Sequence, residues 1–350
     1  MGAPVRHLRR TFAVAAATAA ALTLAACGGG TDPETSDPSA EPSDAAAAQF
    51  PVTIPTSLGD AVIEEQPERV VALGWGAADI ALSLGVVPVG VEIDAWAGDA
   101  DGYQPWFREA VEEQGADLPT TIAMYPELDV DAIVALEPDL VLAPQSGLTQ
   151  DQFDQLSALV PVVAPPGASW QTTIEGQVTI TATALGASAE DAQALLDQRT
   201  AALDEAAAAN PELEGLTFAY VYGGDQAGAL SVYLPGDPRV ELLTGLGLVL
   251  APSVADLEAT PNTFAAVLGL ENADQLDDAQ MLFTWFNDTD EQAATEAQPL
   301  WAQIPAFASG AYVPMLDRQV GMAVTIATPL SIPWALDSYL PMITEAAANV

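Results

Sequence analysis

Beyond residue 27 this 350-residue chain has almost nothing with which to do covalent chemistry. It contains no lysine, its single histidine is His7 and its single cysteine is Cys27. A Ser-His-Asp, Cys-His or Ser-Lys nucleophile cannot be assembled, because the base is missing. A P-loop lacks its lysine. A zinc or copper site of the His/Cys kind lacks its ligands. All eight basic residues are arginine, and three of them lie in the first ten positions. That leaves Arg69, Arg108, Arg199, Arg239 and Arg318 against 49 acids, or 5 − 49 = −44 after residue 27. Such a body repels polyanions, so nucleic acid is not expected as a partner. The only catalytic device the composition leaves is a carboxylate pair, and 49 acids guarantee such pairs by chance. The expectation is a binding protein without enzymatic activity and without a cofactor of its own.

The residues that could bind are aromatic. Trp75, Trp96, Tyr103, Trp170, Tyr222 and Trp285 fall in loops, or at strand ends, where core packing does not demand them. Trp and Tyr combine a large apolar area with one donor each. Ser146 follows the apolar run Leu140–Ala143 and joins this set. Trp106, Trp301 and Trp334 read as core. Among the arginines, Arg69 begins a strand, Arg199 lies mid-helix, and Arg239 can pair with Asp237 or Glu241 at a helix start. Arg318 is the best ligand-facing cation and Arg108 the second.

The elements that must position these residues are short apolar strands alternating with helices. Residues 51–70 alternate around a Leu58-Gly59-Asp60 turn, as a small hairpin does. Strands are expected at 69–73, 86–91, 140–143 and 160–164, with helices at 77–85, 130–136 and 149–159. Ala-, Leu- and Gln-rich helices follow at 171–185 and 188–209, the second ending at Asn210-Pro211. A second α/β pattern places strands at 216–222, 281–285 and 311–314, and helices at 238–246 and 330–348. The helix 188–209, about 33 Å long at 1.5 Å per residue, could cross from one domain to another. Asp131 and Glu271 are 140 residues apart, as are Leu136 and Leu276, and Leu142 and Leu282. Each acid opens a short helix that leads into a buried strand, a faint internal repeat. The fold class expected is α/β, with two Rossmann-like lobes and a ligand cleft outside the carboxyl ends of their strands.

The amino terminus reads as an address. Three arginines precede the apolar stretch 12–26, too short for a membrane span, which ends in Leu24-Ala25-Ala26-Cys27. This resembles the bacterial lipobox, in which the cysteine is lipidated. Residues 28–49 are rich in Pro, Ser, Ala and Asp, as a disordered tether is. The expected organisation is a lipoprotein signal peptide at 1–26, lipidated Cys27 and linker at 27–50, a first lobe at 51–187, an inter-lobe helix at 188–209 and a second lobe at 210–350. The folded part would then be held on the extracytoplasmic face of the cell membrane.

Four segments resemble one family. They are PERVVALGWGAADIALSLGVVPVGV (67–91), LDVDAIVALEPDLVLAPQSGLTQDQFDQLSALVPVV (128–163), YLPGDPRVELLTGLGL (233–248) and ATPLSIPWALDSYLP (327–341). In this order behind a lipobox they are similar to the iron-siderophore substrate-binding lipoproteins of ABC importers, from Pro51 to Pro341. The resemblance implies two lobes bridged by a rigid helix, a ferric siderophore as ligand with the iron held inside its chelator, and a membrane permease as partner. It implies that one acid on each lobe, here Asp131 and Glu271, meets arginines of the permease. As helix N-terminal acids both also suit the helix dipole. The same group includes cobalamin and haem binders; a haem would need Tyr103, Tyr222 or Tyr233 as axial ligand. With so few arginines, a tris-catecholate complex of about three negative charges is disfavoured against a neutral or cationic ferric hydroxamate. A monomer is expected.

Overall fold

The computed structural model describes residues 50–224, 228–261 and 263–350. The expected leader, Cys27 and tether lie outside the described residues.

Two sheets form, one in each expected lobe. The first has five parallel strands, and its central strand, Val70–Ala72, lies between Gly90–Glu92 and Leu140–Leu142. Thr120–Ile122 and Val162–Val163 form the edges. The runs Val70-Val71-Ala72 and Leu140-Val141-Leu142 are buried at every residue, as a parallel strand covered on both faces requires. The second sheet has six strands. Thr217–Tyr222 pairs in parallel with Met281–Trp285, which pairs in turn with Tyr312–Met315. Ala229–Tyr233 and Ala265–Gly269 add antiparallel strands on the other side. The expected hairpin is present, with Val52–Ile54 antiparallel to Ala61–Ile63.

Local chemistry explains several boundaries. Ser188 and Asp191 make a reciprocal capping box at the start of the helix Ala189–Ala209, and Thr149 and Gln152 make another before Gln150–Ser157. Gly186 takes a left-handed conformation that ends Ile174–Leu185. The repeat also has a structural counterpart. The Asp131 helix, Val130–Ala135, precedes Leu140–Leu142, and the Glu271 segment, Leu270–Leu276, precedes Met281–Trp285. Each of these strands lies beside the first long-range strand of its sheet.

The bridging helix is not the only join between the lobes. One apolar cluster contains Trp106, Phe107 and Val111 from the first lobe together with Tyr220, Phe283, Val320, Ile332 and Tyr339 from the second. Trp106 on the helix Pro105–Glu113 meets Trp334 on the final helix, Ser331–Ala347, with ring centroids 5.3 Å apart. Beneath them Asp79 is 1% exposed. One of its oxygens accepts from Trp106 Nε1 at 2.8 Å and from the second lobe's Thr328 hydroxyl at 2.7 Å. Its other oxygen has no partner among the described residues.

Burial pushes the Asp79 carboxyl up from 3.8 to about 6, against the two hydrogen bonds, which favour the anion. The folded protein therefore holds this proton longer than the unfolded chain does. The contribution of this group to stability is full below about pH 3.8, falls as pH rises, and is lost above about 6. Asp79→Asn keeps the accepting oxygen and removes the titration. Between pH 4 and 7 the variant should gain on the wild type by up to about 3 kcal/mol in denaturant melts. Parallel curves would show that Asp79 does not titrate in that window.

Candidate ligand-binding cleft

A cavity of about 550 Å³ opens between the lobes, within the range of small-molecule sites. Its first wall comes from the ends of the strands Val70–Ala72 and Gly90–Glu92 and the loops that follow them. Its second comes from the ends of Met281–Trp285 and Tyr312–Met315 and from the helix Arg318–Ile326.

The first wall depends on a tight turn. Gly74 has φ +75°, and a Cβ there would run into the Gln145 carbonyl and lie 2.7 Å from the Ser146 Cβ. The close approach lets Trp75 N–H bond the Gln145 carbonyl at 2.9 Å and aims the indole into the cavity. Trp170 has φ +64°, an uncommon backbone for a bulky residue. Its loop is pinned by Gln145 Oε1, which accepts from Thr172 N–H at 2.8 Å, and Trp170 packs on Trp75 at 4.6 Å between centroids. The backbone strain thus holds a ring where the cavity needs it.

The second wall is braced by hydrogen bonds and stacking. Trp285 stacks on Tyr222 at 4.0 Å and 11°, and its indole N–H bonds the Tyr233 hydroxyl at 3.1 Å. Trp96 crosses from the first lobe, donates to Asn287 Oδ1 at 3.0 Å and meets Trp285 edge-on at 5.8 Å. Arg318 donates from Nε and Nη2 to the Asn287 carbonyl, with its guanidinium 5.5 Å over the Trp96 ring.

Six of the eight ligand-facing candidates line this cavity: Trp75, Trp96, Tyr103, Trp170, Trp285 and Arg318. Two do not. Ser146 is fully buried beneath Gly74 and donates to the Ala143 carbonyl at 2.8 Å. Tyr222 stands behind Trp285, 7% exposed, with its hydroxyl bonded to Glu291 Oε1 at 2.9 Å. Both support the walls from outside, Ser146 from the loop after Leu140–Leu142 that packs under Gly74, and Tyr222 from the end of its strand behind the Trp285 ring. Arg108 is bound on the surface side by Asp99 and Asp101. Trp106 and Trp301 are buried and Trp334 half-buried, as core residues.

Sequence reasoning missed several wall residues. Arg239 does pair with Asp237, through bonds of 2.8 and 2.7 Å, and it also lines the cavity, its guanidinium 3.7 Å over the Tyr233 ring. Burial disfavours its charge, but Asp237, together with Tyr233 and Tyr220, outweighs this and holds the guanidinium above its usual range. Glu92 ends the second strand of the first sheet, Asp94 follows it, and Tyr125 follows the edge strand Thr120–Ile122. Burial pushes Glu92 up to about 6, the Gly74 N–H bond at 2.7 Å lowers it, and the charge of Asp94 raises it further. A carboxylate closing the apolar run 86–91 was the available signal for Glu92. Nothing in the pattern marked Tyr125. Asp131 and Glu271 are both exposed, away from the cavity lining.

The fold and cleft define a two-lobed solute-binding protein. Residues 70–314 match the periplasmic binding protein family, and the chain belongs to it. It is 27% identical over 272 residues to the ferric enterobactin-binding periplasmic protein FepB of Escherichia coli, covering 74% of this chain and 82% of that one. It is 34% identical over 142 residues to a cobalamin-binding protein of Halobacterium salinarum, covering 39% of this chain. For that relative and another curated one, the chain spans little more than a third of their length. Among solved structures, Streptococcus pneumoniae PiaA in complex with ferrichrome superposes with a TM-score of 0.77 at 29% identity, covering 85% of this chain and 99% of PiaA. No helix among the described residues is long and apolar enough to cross a membrane.

Gly74→Ala should lower stability by about 2–4 kcal/mol in urea titrations, from the left-handed backbone and the collision with residues 145–146. An unchanged midpoint would mean that the turn relaxes at no cost.

Proposed function

We propose that this protein captures a ferric siderophore, of hydroxamate type, between its lobes and delivers it to the permease of an ABC importer. The observation that carries the ligand class is the charge of the cavity. Glu92 and Asp94 line the first wall, and Asp317, the N-cap of the Arg318 helix, lines the second beside Arg239 and Arg318, −3 + 2 = −1, while Asp237 already neutralises Arg239. A complex with three negative charges meets no cluster of free cations there, whereas a neutral chelate meets indoles that match its apolar shell. The ferrichrome complex of PiaA supports the same class. The relative that binds ferric enterobactin is the contrary indication.

The apolar seam beneath the cavity favours a small rocking of the lobes over a wide hinge closure. Asp131 and Glu271 stand exposed on equivalent elements of the two lobes, as docking acids would, setting register and on-rate more than affinity. Lipidation of Cys27 would keep the protein beside its permease on the outer face of the membrane, since anchoring needs more than one acyl chain. The second reading is a corrinoid ligand, favoured by the Halobacterium relative. Haem is less well served, because the Tyr103 and Tyr222 hydroxyls are already bonded to the Pro119 carbonyl and to Glu291.

Tryptophan fluorescence should be quenched by ferrichrome at micromolar concentration or below, and by ferric enterobactin only at concentrations about ten-fold higher or more. The reverse order would overturn the hydroxamate reading, and quenching by cyanocobalamin alone would establish the corrinoid one. In cells, Asp131→Arg with Glu271→Arg should abolish uptake of the iron complex while the purified double variant binds it normally. Undiminished uptake would remove both acids from the docking face.

A further inference from the structure

The cavity is electrically lopsided. Its cations, Arg239 and Arg318, both belong to the second lobe, which also carries Asp317 and the Asp237 partner of Arg239, whereas Glu92 and Asp94 belong to the first and share their wall with no cation. No ion pair among the described residues neutralises Glu92. The first lobe's own arginines are engaged elsewhere, Arg69 with the Leu136 and Glu137 carbonyls and Arg108 with Asp99 and Asp101.

Three rings stand with Glu92 at that end. Its carboxylate accepts from Gly74 N–H, the residue before Trp75. Trp75 leans on Trp170 at 4.6 Å with a 45° tilt. A Cβ on Gly147 would lie 2.8 Å from both Trp170 Nε1 and the Tyr125 hydroxyl, so these two groups flank the same glycine. The Tyr125 phenol, itself 58% exposed, is partly desolvated and feels the Glu92 charge, both of which oppose its ionisation. Trp75, Trp170, Tyr125 and Glu92 thus close a circuit on one side of the cavity. Indole and phenol faces attract a cation, and a partly desolvated carboxylate beside them supplies the counter-charge. An ammonium on a flexible chain fits that combination; an anionic group does not.

We propose that Glu92, with Trp75, Trp170 and Tyr125, forms a subsite for an alkylammonium arm of the ligand, so that the protein selects cationic over neutral ferric hydroxamates. The proposal rests on the hydroxamate reading above. The chelate core would face Arg239 and Arg318, and the arm would run toward the first lobe. Glu92 is then a specificity-determining residue. It contributes to the choice among chelates that share one iron centre.

The test uses two ligands that differ only at the arm: ferrioxamine B, with a free primary ammonium, and its N-acetyl derivative. Each is titrated against the full-length protein at pH 7.5 by tryptophan quenching. Wild type should bind ferrioxamine B on the order of ten-fold more tightly than the acetylated form. In Glu92→Gln, which keeps an acceptor for Gly74 N–H, that ratio should fall to near one. Equal affinities in wild type would overturn the subsite, and so would a ratio that survives in Glu92→Gln. Should that variant not fold, the wild-type ratio alone decides. Quenching by neither compound would remove the hydroxamate reading and the subsite together, whereas equal quenching by both removes only the subsite.

Discussion

Trp106 and Trp334 meet at 5.3 Å where the helix Pro105–Glu113 lies against the final helix, and the cavity depends on this contact. The two rings belong to an apolar cluster that runs without a break from one lobe into the other. Burying a large side chain contributes roughly 1.5–3 kcal/mol, so separating the lobes at this seam would expose several such groups at once. Asp79 adds a polar clamp to the same place, holding Trp106 and Thr328 on one oxygen. With the lobes joined beneath, Trp96 can reach across to Asn287, and Arg318 can lie over Trp96. The walls are therefore set before any ligand arrives, which reduces the ordering cost of binding.

The scarcity of cations shapes the rest. The five arginines after residue 27 are each committed: Arg69 to backbone carbonyls, Arg108 to two aspartates, Arg199 to the Ala327 carbonyl, Arg239 to Asp237 and Arg318 to the Asn287 carbonyl. In a chain with so large an acidic excess, a free guanidinium cluster is hard to keep. The lining of the cavity consequently consists mainly of indole and phenol rings and apolar side chains, with few charged groups. This explains how a strongly acidic protein can offer a mainly aromatic site.

Much of the framework was legible in the residues. Runs such as Val70–Ala72 and Leu140–Leu142 are apolar at every position because both faces are covered, and that pattern has few other readings. The bridging helix announced its end through Asn210-Pro211, while the box of Ser188 with Asp191 fixes its start. The helices Pro105–Glu113 and Arg318–Ile326 were not recognised, although Pro105 and Asp317 mark their starts. Gly321 and a β-branched Val-Thr-Ile end weaken the helical signal in the second. It holds because Val320, Ala323, Val324 and Ile326 are buried against neighbouring elements.

What the chain's composition determined by itself is the kind of chemistry open to it. Without lysine, and with histidine and cysteine confined to its first 27 residues, the body lacks the His-, Cys- and Lys-based nucleophile–base pairs and keeps only carboxylates for such chemistry. The placement of aromatics after strands likewise pointed to a cleft, since loop ends gather at one edge of a parallel sheet. Only the tertiary structure decided which side chains open onto it. Tyr222 and Trp285 look alike on paper, yet one ring stands in front of the other at 4.0 Å. Arg239 reads as a local helix-start pair, and becomes a wall residue only because Tyr220 and Tyr233 bring it against the opening. Side-chain direction at a strand end depends on partners dozens of residues away, and no local pattern carries that information.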